Sequence, residues 1–371
     1  MSRGALEPPV EDLLAATRRF ETWLGRLMPL VSADLRAKHR RMRERPFLFL
    51  RGTFYRWCQL WRVAAGKLAR AMPVMAVGDL HLENYGTWRD ADGRLIWGIN
   101  DFDEATRLPW TQDLVRLATS AHLAILSEDG LMVRRRSACQ AILAGYRDAV
   151  DVGGRPFVLE EEHGWLRRLA TGELRHPPTF WAKMNALPTA RDVDATAAAA
   201  IRAAMPARGL RIRFARRVAG LGSLGRPRFV GIAEWNGGAV AREAKAVAPS
   251  AWDWACGHRG RRLAAITATV RRAVRVPDPT VRVQGRWLLR RLAPHCTRID
   301  LAELPSTRDE QRLLYAMGFE AANVHLGTPR ARATIDRELN ARGSRWLHDT
   351  ASTMTDQVIR DWRVWRKHTP P

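Results

Sequence analysis

"GLGSLGRPRFVGIAEW", residues 220–235, decides the fold. Its first six residues fit G-x-G-x-x-G, a spacing shared by several phosphate-binding loops and often met by chance. A dinucleotide-binding unit needs a helix directly after the third glycine. Here Pro227 and then "RFVGIAEW" follow, and that run of β-forming residues predicts a strand. "FARRVA" before the glycines reads as another strand, and Asn236-Gly237-Gly238 turns the chain into a third, "AVAREAKAV". Strand, glycine loop, strand, turn and strand make an antiparallel sheet. Lys245 lies on the third strand, twenty positions past Gly225. The chain has five lysines in 371 residues, about one position in 74, so a lysine at that place carries information.

A second polar stretch, "VGDLHLENYG" (77–86), follows the strand-like run "VMA". Asp79 and Asn84 are spaced D-x-x-x-x-N on one backbone excursion. "YGTWRDADGRLIWGIN" then reads as a hairpin with its turn at Asp92-Gly93, and the returning strand delivers "NDFDEA" (100–105). Asp101 and Asp103 end that strand, so at least one should face Asp79. Phosphoryl transfer needs a carboxylate to deprotonate the attacking hydroxyl and oxygen ligands for Mg²⁺. The spacing supplies both. His81 reads as a residue that orders the loop, and Asp113, in the first turn of the next helix, as one that caps or hydrogen-bonds it.

Composition excludes little. The 46% apolar and 27% charged shares are those of a globular chain. No secretory leader and no run of about 18 apolar residues is seen, so a cytoplasmic location without a membrane span is expected. Cys58, Cys139, Cys256 and Cys296 are far apart and read as reduced, partly buried thiols. The net charge of +23 is almost all arginine, spread through every segment without a dense tract. Nucleic acid is therefore possible but not favoured as a partner.

Other elements follow from periodicity. Leu13, Phe20, Trp23, Leu24 and Leu27 mark a first helix, ended before Pro29. Helices are expected from Thr111, over about 132–150, in "VDATAAAAIRAAMP", near 258–275 and from Thr307, with a helical region to about 367; "RHPPTFW" reads as a loop and "RWLLRRLAP" as a strand.

At these residues a family likeness emerges. "GDLHLENYG", "INDFDEA" and "PWTQDLVRLA" resemble the catalytic loop, metal loop and following helix of aminoglycoside-phosphotransferase-like kinases. With "PFLFLRG", "RRVAGLGSLGRPRF", "AREAKA", "WLLRRL" and "ANVHLG", most of the chain resembles the bacterial domain-of-unknown-function 2252 family. Kinases run glycine loop, lysine, catalytic loop, metal loop, whereas here the last two come first. The resemblance therefore implies a circularly permuted, two-lobed, protein-kinase-like α+β fold. Residues 207–295 would form a small antiparallel β lobe, and 1–206 with 296–371 a larger helical lobe. It implies ATP and Mg²⁺ as cofactors, Asp79 as base, Asn84 and Asp101 as metal ligands with Asp103 as second choice, and Lys245 with the loop of Gly220, Gly222, Ser223 and Gly225 as the phosphate clamp. One departure stands out: the helix after Lys245 has no acid to pair with it, and Glu243 or Asp253 is left to substitute. Twelve positions from Asp101 to Asp113 are too few for a peptide-docking segment, so the expected function is phosphotransfer to a small-molecule or acidic acceptor. AMP transfer, or nucleotide or nucleic-acid binding without catalysis, are the alternatives.

Overall fold

The computed structural model describes residues 11–127, 130–160, 162–170, 176–257, 262–294, 296 and 307–369. The start of the basic helix expected near 258 lies outside these residues.

The mixed α+β architecture begins with four helices: α1 (Leu13–Leu27), α2 (Ser32–Glu44), α3 (Pro46–Gly52) and α4 (Phe54–Ala64). Asp12 caps α1 by accepting from the amides of Leu14 and Ala15 at 2.9 and 3.1 Å. Phe20 stacks on Tyr55 with ring centroids 4.5 Å apart, joining α1 to α4. Strand β1 (Pro73–Ala76) then carries the chain into the first polar loop. The expected hairpin is β2 (Tyr85–Arg89) and β3 (Leu95–Ile99), turned at Gly93 with φ +80°. Strand β4 (Thr106–Pro109) returns antiparallel to β1, so both polar loops leave the same side of the fold. Helices α5 (Trp110–Ile125) and α6 (Arg135–Val152) follow, and β5 (Phe157–Val158) extends the hairpin to three strands.

Helix α7 (Gly164–Ala170) precedes α8 (Pro177–Asn185) and α9 (Ala195–Ala204). From Pro177 onward the segment read as a loop at "RHPPTFW" is the start of α8, and its Arg175 lies outside the described residues. Two prolines occupy its first turn, where amides have no intrahelical acceptor and the missing N–H costs nothing. Beyond it, β6 (Arg213–Arg216), β7 (Arg228–Trp235), β8 (Gly238–Ala246), β9 (Arg282–Gln284) and β10 (Trp287–Leu292) form one antiparallel sheet in the order β6-β7-β8-β10-β9. The segment after the glycine loop is a strand, as its composition requires, and Asn236 and Gly237 make the β7–β8 turn with φ of 49° and 78°. Helices α10 (Ala251–Ala255) and α11 (Arg262–Arg272) lie between β8 and β9.

The chain ends with α12 (Thr307–His325), α13 (Ala331–Asn340) and α14 (Trp346–His368). Helices α6 and α12 meet backbone to backbone at two glycines. A Cβ on Gly145 would lie 1.9 Å from the Tyr315 carbonyl oxygen, and one on Gly318 2.0 Å from that of Ile142. One helical body is thus built from both ends of the chain. The boundary read at 206 does not match the packing, because α8 and α9 lie on the β6–β10 sheet. Met184 packs with Val230 and Ile232, Ile201 fills the space over Gly231, and Thr196 accepts from the Trp287 indole at 2.7 Å. Small alanine side chains let α9 approach that closely. Among the described residues, no helix is long and apolar enough to cross a membrane.

Candidate functional site

The loop after β1 is fixed from below. Asp113, fully buried at the start of α5, accepts from the amides of Val77 (2.7 Å) and Gly78 (3.0 Å). His325 Nε2 lies 3.1 Å from the same carboxylate, and its Nδ1 lies 2.8 Å from the Tyr146 hydroxyl. With Nε2–H donating to Asp113 and Nδ1 accepting from Tyr146, every polar atom in the chain of contacts is satisfied. His81 and Asn84 close the loop reciprocally. The His81 amide donates to Asn84 Oδ1 at 2.8 Å, and His81 Nδ1 accepts from the Glu83 amide at 3.2 Å. Both Asp113 and His81 therefore act on the backbone. Asp113→Asn should cost roughly 2 kcal/mol of stability, because an amide donor then confronts two backbone donors; a denaturation midpoint unchanged from wild type would show that the anchor contributes little.

That anchoring presents Asp79. Arg116, one turn beyond Asp113 on the same helix, donates to Asp79 Oδ1 through Nε at 2.9 Å and through its terminal nitrogen. Its guanidinium is fully buried over Phe54 and Trp57, with Cζ 4.8 and 4.9 Å from the ring centroids. Burial pushes the Asp79 carboxyl up to about 6 against the opposing pull of Arg116. Sequence reasoning missed Arg116. The signal was present as an arginine three positions after Asp113, on the helix face that holds the loop.

The glycine loop lies against this carboxylate. Gly220 has φ +74°, and a short 3-10 turn spans Leu221–Ser223. A Cβ on Gly222 would stand 3.4 Å from Asp79 Oδ2 and 3.1 Å from the Arg51 carbonyl oxygen, so only a bare backbone fits there without displacement. Ser223 Oγ accepts from Arg228 at 2.8 Å, which ties it to the loop's own sheet. Gly225, with φ +95°, accepts from the Val31 amide at 2.8 Å.

Lys245 reaches the site from the central strand β8, paired with Arg228 of β7 and Leu288 of β10. Its ammonium meets Asp101 Oδ1 at 3.4 Å and Asp103 Oδ2 more closely. Both carboxylates of the acidic stretch thus face Lys245, and their environments differ. Burial pushes Asp103 up to about 6, reinforced by its neighbour Asp101. Asp101 feels burial too, but Lys245 and Arg290 outweigh it and hold its carboxyl well below the usual range. The Asp101 side chain is 41% exposed and that of Asp103 only 9%. Asp103 Oδ1 is buried without a hydrogen-bond partner.

Glu243 does not substitute for a helix acid beside Lys245. Glu243 is fully buried and neutralised by Arg217 (2.6 Å), Arg228 (2.9 Å) and Arg290 (2.7 Å), while Asp253 opens α10. Opposite charges at close range decide this: three guanidinium groups out-compete one ammonium for a carboxylate on the same strand face. Lys245 takes Asp101 and Asp103 instead.

Together Asp79, Asn84, Asp101, Asp103, Gly222 and Lys245 line a cavity of about 520 Å³. Asp101, Asp103 and Asn84 in this lining offer hard oxygens of the kind Mg²⁺ prefers, and Asp103 Oδ1, without a hydrogen-bond partner, is open to a cation. Asn84 Oδ1 already accepts from His81, which leaves it one lone pair for a metal. All four cysteines are free thiols. Cys139 lies 3.2 Å from His122 Nε2 between α5 and α6; burial raises its thiol to about 12 and lowers His122 to about 4, so both are neutral.

The family model described as "Uncharacterized protein conserved in bacteria (DUF2252)" matches residues 30–175, the segment bearing Asp79, Asn84, Asp101, Asp103 and Asp113. No curated protein and no solved structure matches the chain. Over that segment, the match supports the DUF2252 likeness carried by "GDLHLENYG" and "INDFDEA", whereas the glycine loop and Lys245 lie outside it.

Proposed function

We propose that this protein is an ATP- and Mg²⁺-dependent phosphotransferase acting on a hydroxyl of a small-molecule acceptor, with kinase-like parts in permuted order. One observation carries the reading. A lysine from the sheet that holds the glycine loop reaches the two carboxylates after β3, while that loop meets Asp79 of the preceding loop.

In this mechanism Asp79 Oδ2 takes the proton of the acceptor hydroxyl, and Arg116 fixes the other oxygen so that the free one points at the glycine loop. The acceptor oxygen bonds to the terminal phosphorus as the bridging P–O bond breaks, and the electron pair leaves on ADP. Lys245 and the backbone of Gly220–Gly225 hold the phosphates. Asp101, Asp103 and Asn84 would hold Mg²⁺, whose part is to neutralise phosphate charge. Between Asp101 and Asp113 the chain is taken up by β4 and the start of α5, which leaves no segment to dock a peptide.

A thermal-shift series tests the binding half of this proposal. ATP with Mg²⁺ should stabilise the protein by about 2.7 kcal/mol at one hundred times its Kd, and omission of Mg²⁺ should remove most of that gain. Identical melting with and without millimolar Mg·ATP would end the proposal. Product masses separate phosphate transfer from transfer of AMP.

A further inference from the structure

We propose that Lys38 is a second phosphate ligand, holding the terminal phosphate of a nucleoside triphosphate between the glycine loop and Asp79. The inference rests on the phosphotransferase reading above and adds to it a residue that none of the motifs contains.

Three of the chain's five lysines are exposed; Lys38 and Lys245 are each only 6% exposed, and both line the same cleft. They arrive from different elements, Lys245 from β8 and Lys38 from α2. Lys245 is matched by two carboxylates, Arg51 and Arg226 in the cleft wall each meet one as well, and Arg116 behind the wall meets Asp79. Lys38 has no such match. Its ammonium donates to the Gly222 carbonyl oxygen at 3.4 Å, and among the described residues no carboxylate forms an ion pair with it. Lys183, which also lines the cleft, is exposed. Glu21, Asp79 and Glu104 act on Lys38 from beyond ion-pair distance and Arg226 opposes them, so the buried ammonium is only partly neutralised and favours an anion that completes the site. Burial pulls the amine down to about 8, which leaves it protonated at neutral pH.

Its position is fixed. Helix α2 is docked on the glycine loop by the Val31 amide on the Gly225 carbonyl (2.8 Å), by Arg216 on Asp34 (2.7 Å), and by Leu35 packed against Gly225. Lys38 follows Leu35 by three positions, on the same helix face. Its amine meets Gly222, whose Cβ position stands 3.4 Å from Asp79 Oδ2. A phosphate bound there would lie beside the carboxylate that receives the acceptor's proton. A lysine suits this task in an arginine-rich chain, because a compact ammonium with rotatable donors can follow a phosphoryl group as it moves.

Equilibrium binding of Mg·ATP and Mg·ADP to the full chain tests this. Wild type should prefer ATP. Lys38→Met should lose about 10- to 100-fold in ATP affinity, the range of a charge-assisted contact, while ADP affinity stays within about twofold. The ligand-free variant should melt at the same or a higher temperature, since a buried, only partly neutralised charge has been removed. Lys38→Arg should recover part of the ATP preference. A Lys38→Met protein that keeps the wild-type ATP-to-ADP ratio overturns the inference, as does one that melts lower and loses both nucleotides. If wild type itself binds neither nucleotide, the phosphotransferase reading falls and this inference with it.

Discussion

Asp79→Asn should lower ATP consumption by roughly 10³-fold, within the 10²–10⁴ range of a general base, while nucleotide affinity should stay unchanged or become slightly tighter. Two features of the site produce the asymmetry. Oδ1 is occupied by Arg116, so Oδ2 is the atom free to accept a proton, and the asparagine amide cannot accept one in its place. In the proposed mechanism the phosphate contacts come from Lys245 and the glycine loop, which the substitution leaves alone. As the proposed base, Asp79 must be ionised to act. Because burial raises it to about 6, turnover should fall about tenfold per unit as pH drops below that value. The measurement is ADP release against pH for wild type and variant. Equal rates in the two proteins would remove Asp79 from the mechanism.

Glu243→Gln has the largest expected effect on stability, about 3–5 kcal/mol. The carboxylate is fully buried and is the shared counter-charge of Arg217, Arg228 and Arg290. A glutamine of the same shape leaves three guanidinium groups around a neutral amide. Burial alone would raise Glu243, but Arg228, Arg290 and Arg217 outweigh it and hold it well below its ordinary 4.5. A depressed carboxyl contributes stability in full above that ordinary value and loses it only as pH falls toward the folded-state value. Wild type should therefore hold this contribution at pH 5 and shed it only in strong acid, whereas the variant lacks it at both. Chemical denaturation at neutral pH measures the difference. A loss under 1 kcal/mol would mean that water or other acids already serve these arginines.

Local patterns made much of the scaffold legible. The strand after Gly225, the turn at Asn236-Gly237, the β2–β3 hairpin and the α1 period each follow from residues within one short window. Asp113 was readable as an anchor because a carboxylate in a first helical turn meets backbone amides. Other features were not local. Two prolines looked like a loop but start α8, since a helix's first turn does not need their amides. Alanine-rich α9 gave no sign that it would pack on the sheet.

The sequence by itself determined which segments bear the glycines, the acids and one well-spaced lysine, because backbone propensity and side-chain alternation act over a few residues. Tertiary structure alone decided how charges are shared. Asp101 and Asp103 took Lys245, three arginines took Glu243, Arg116 took one oxygen of Asp79, and Lys38 was left buried beside Gly222. These partners lie 37 to 184 positions apart, except Arg217 and Arg228, which stand 26 and 15 positions from Glu243. Coulomb forces and desolvation act through space, so no spacing along the chain records them.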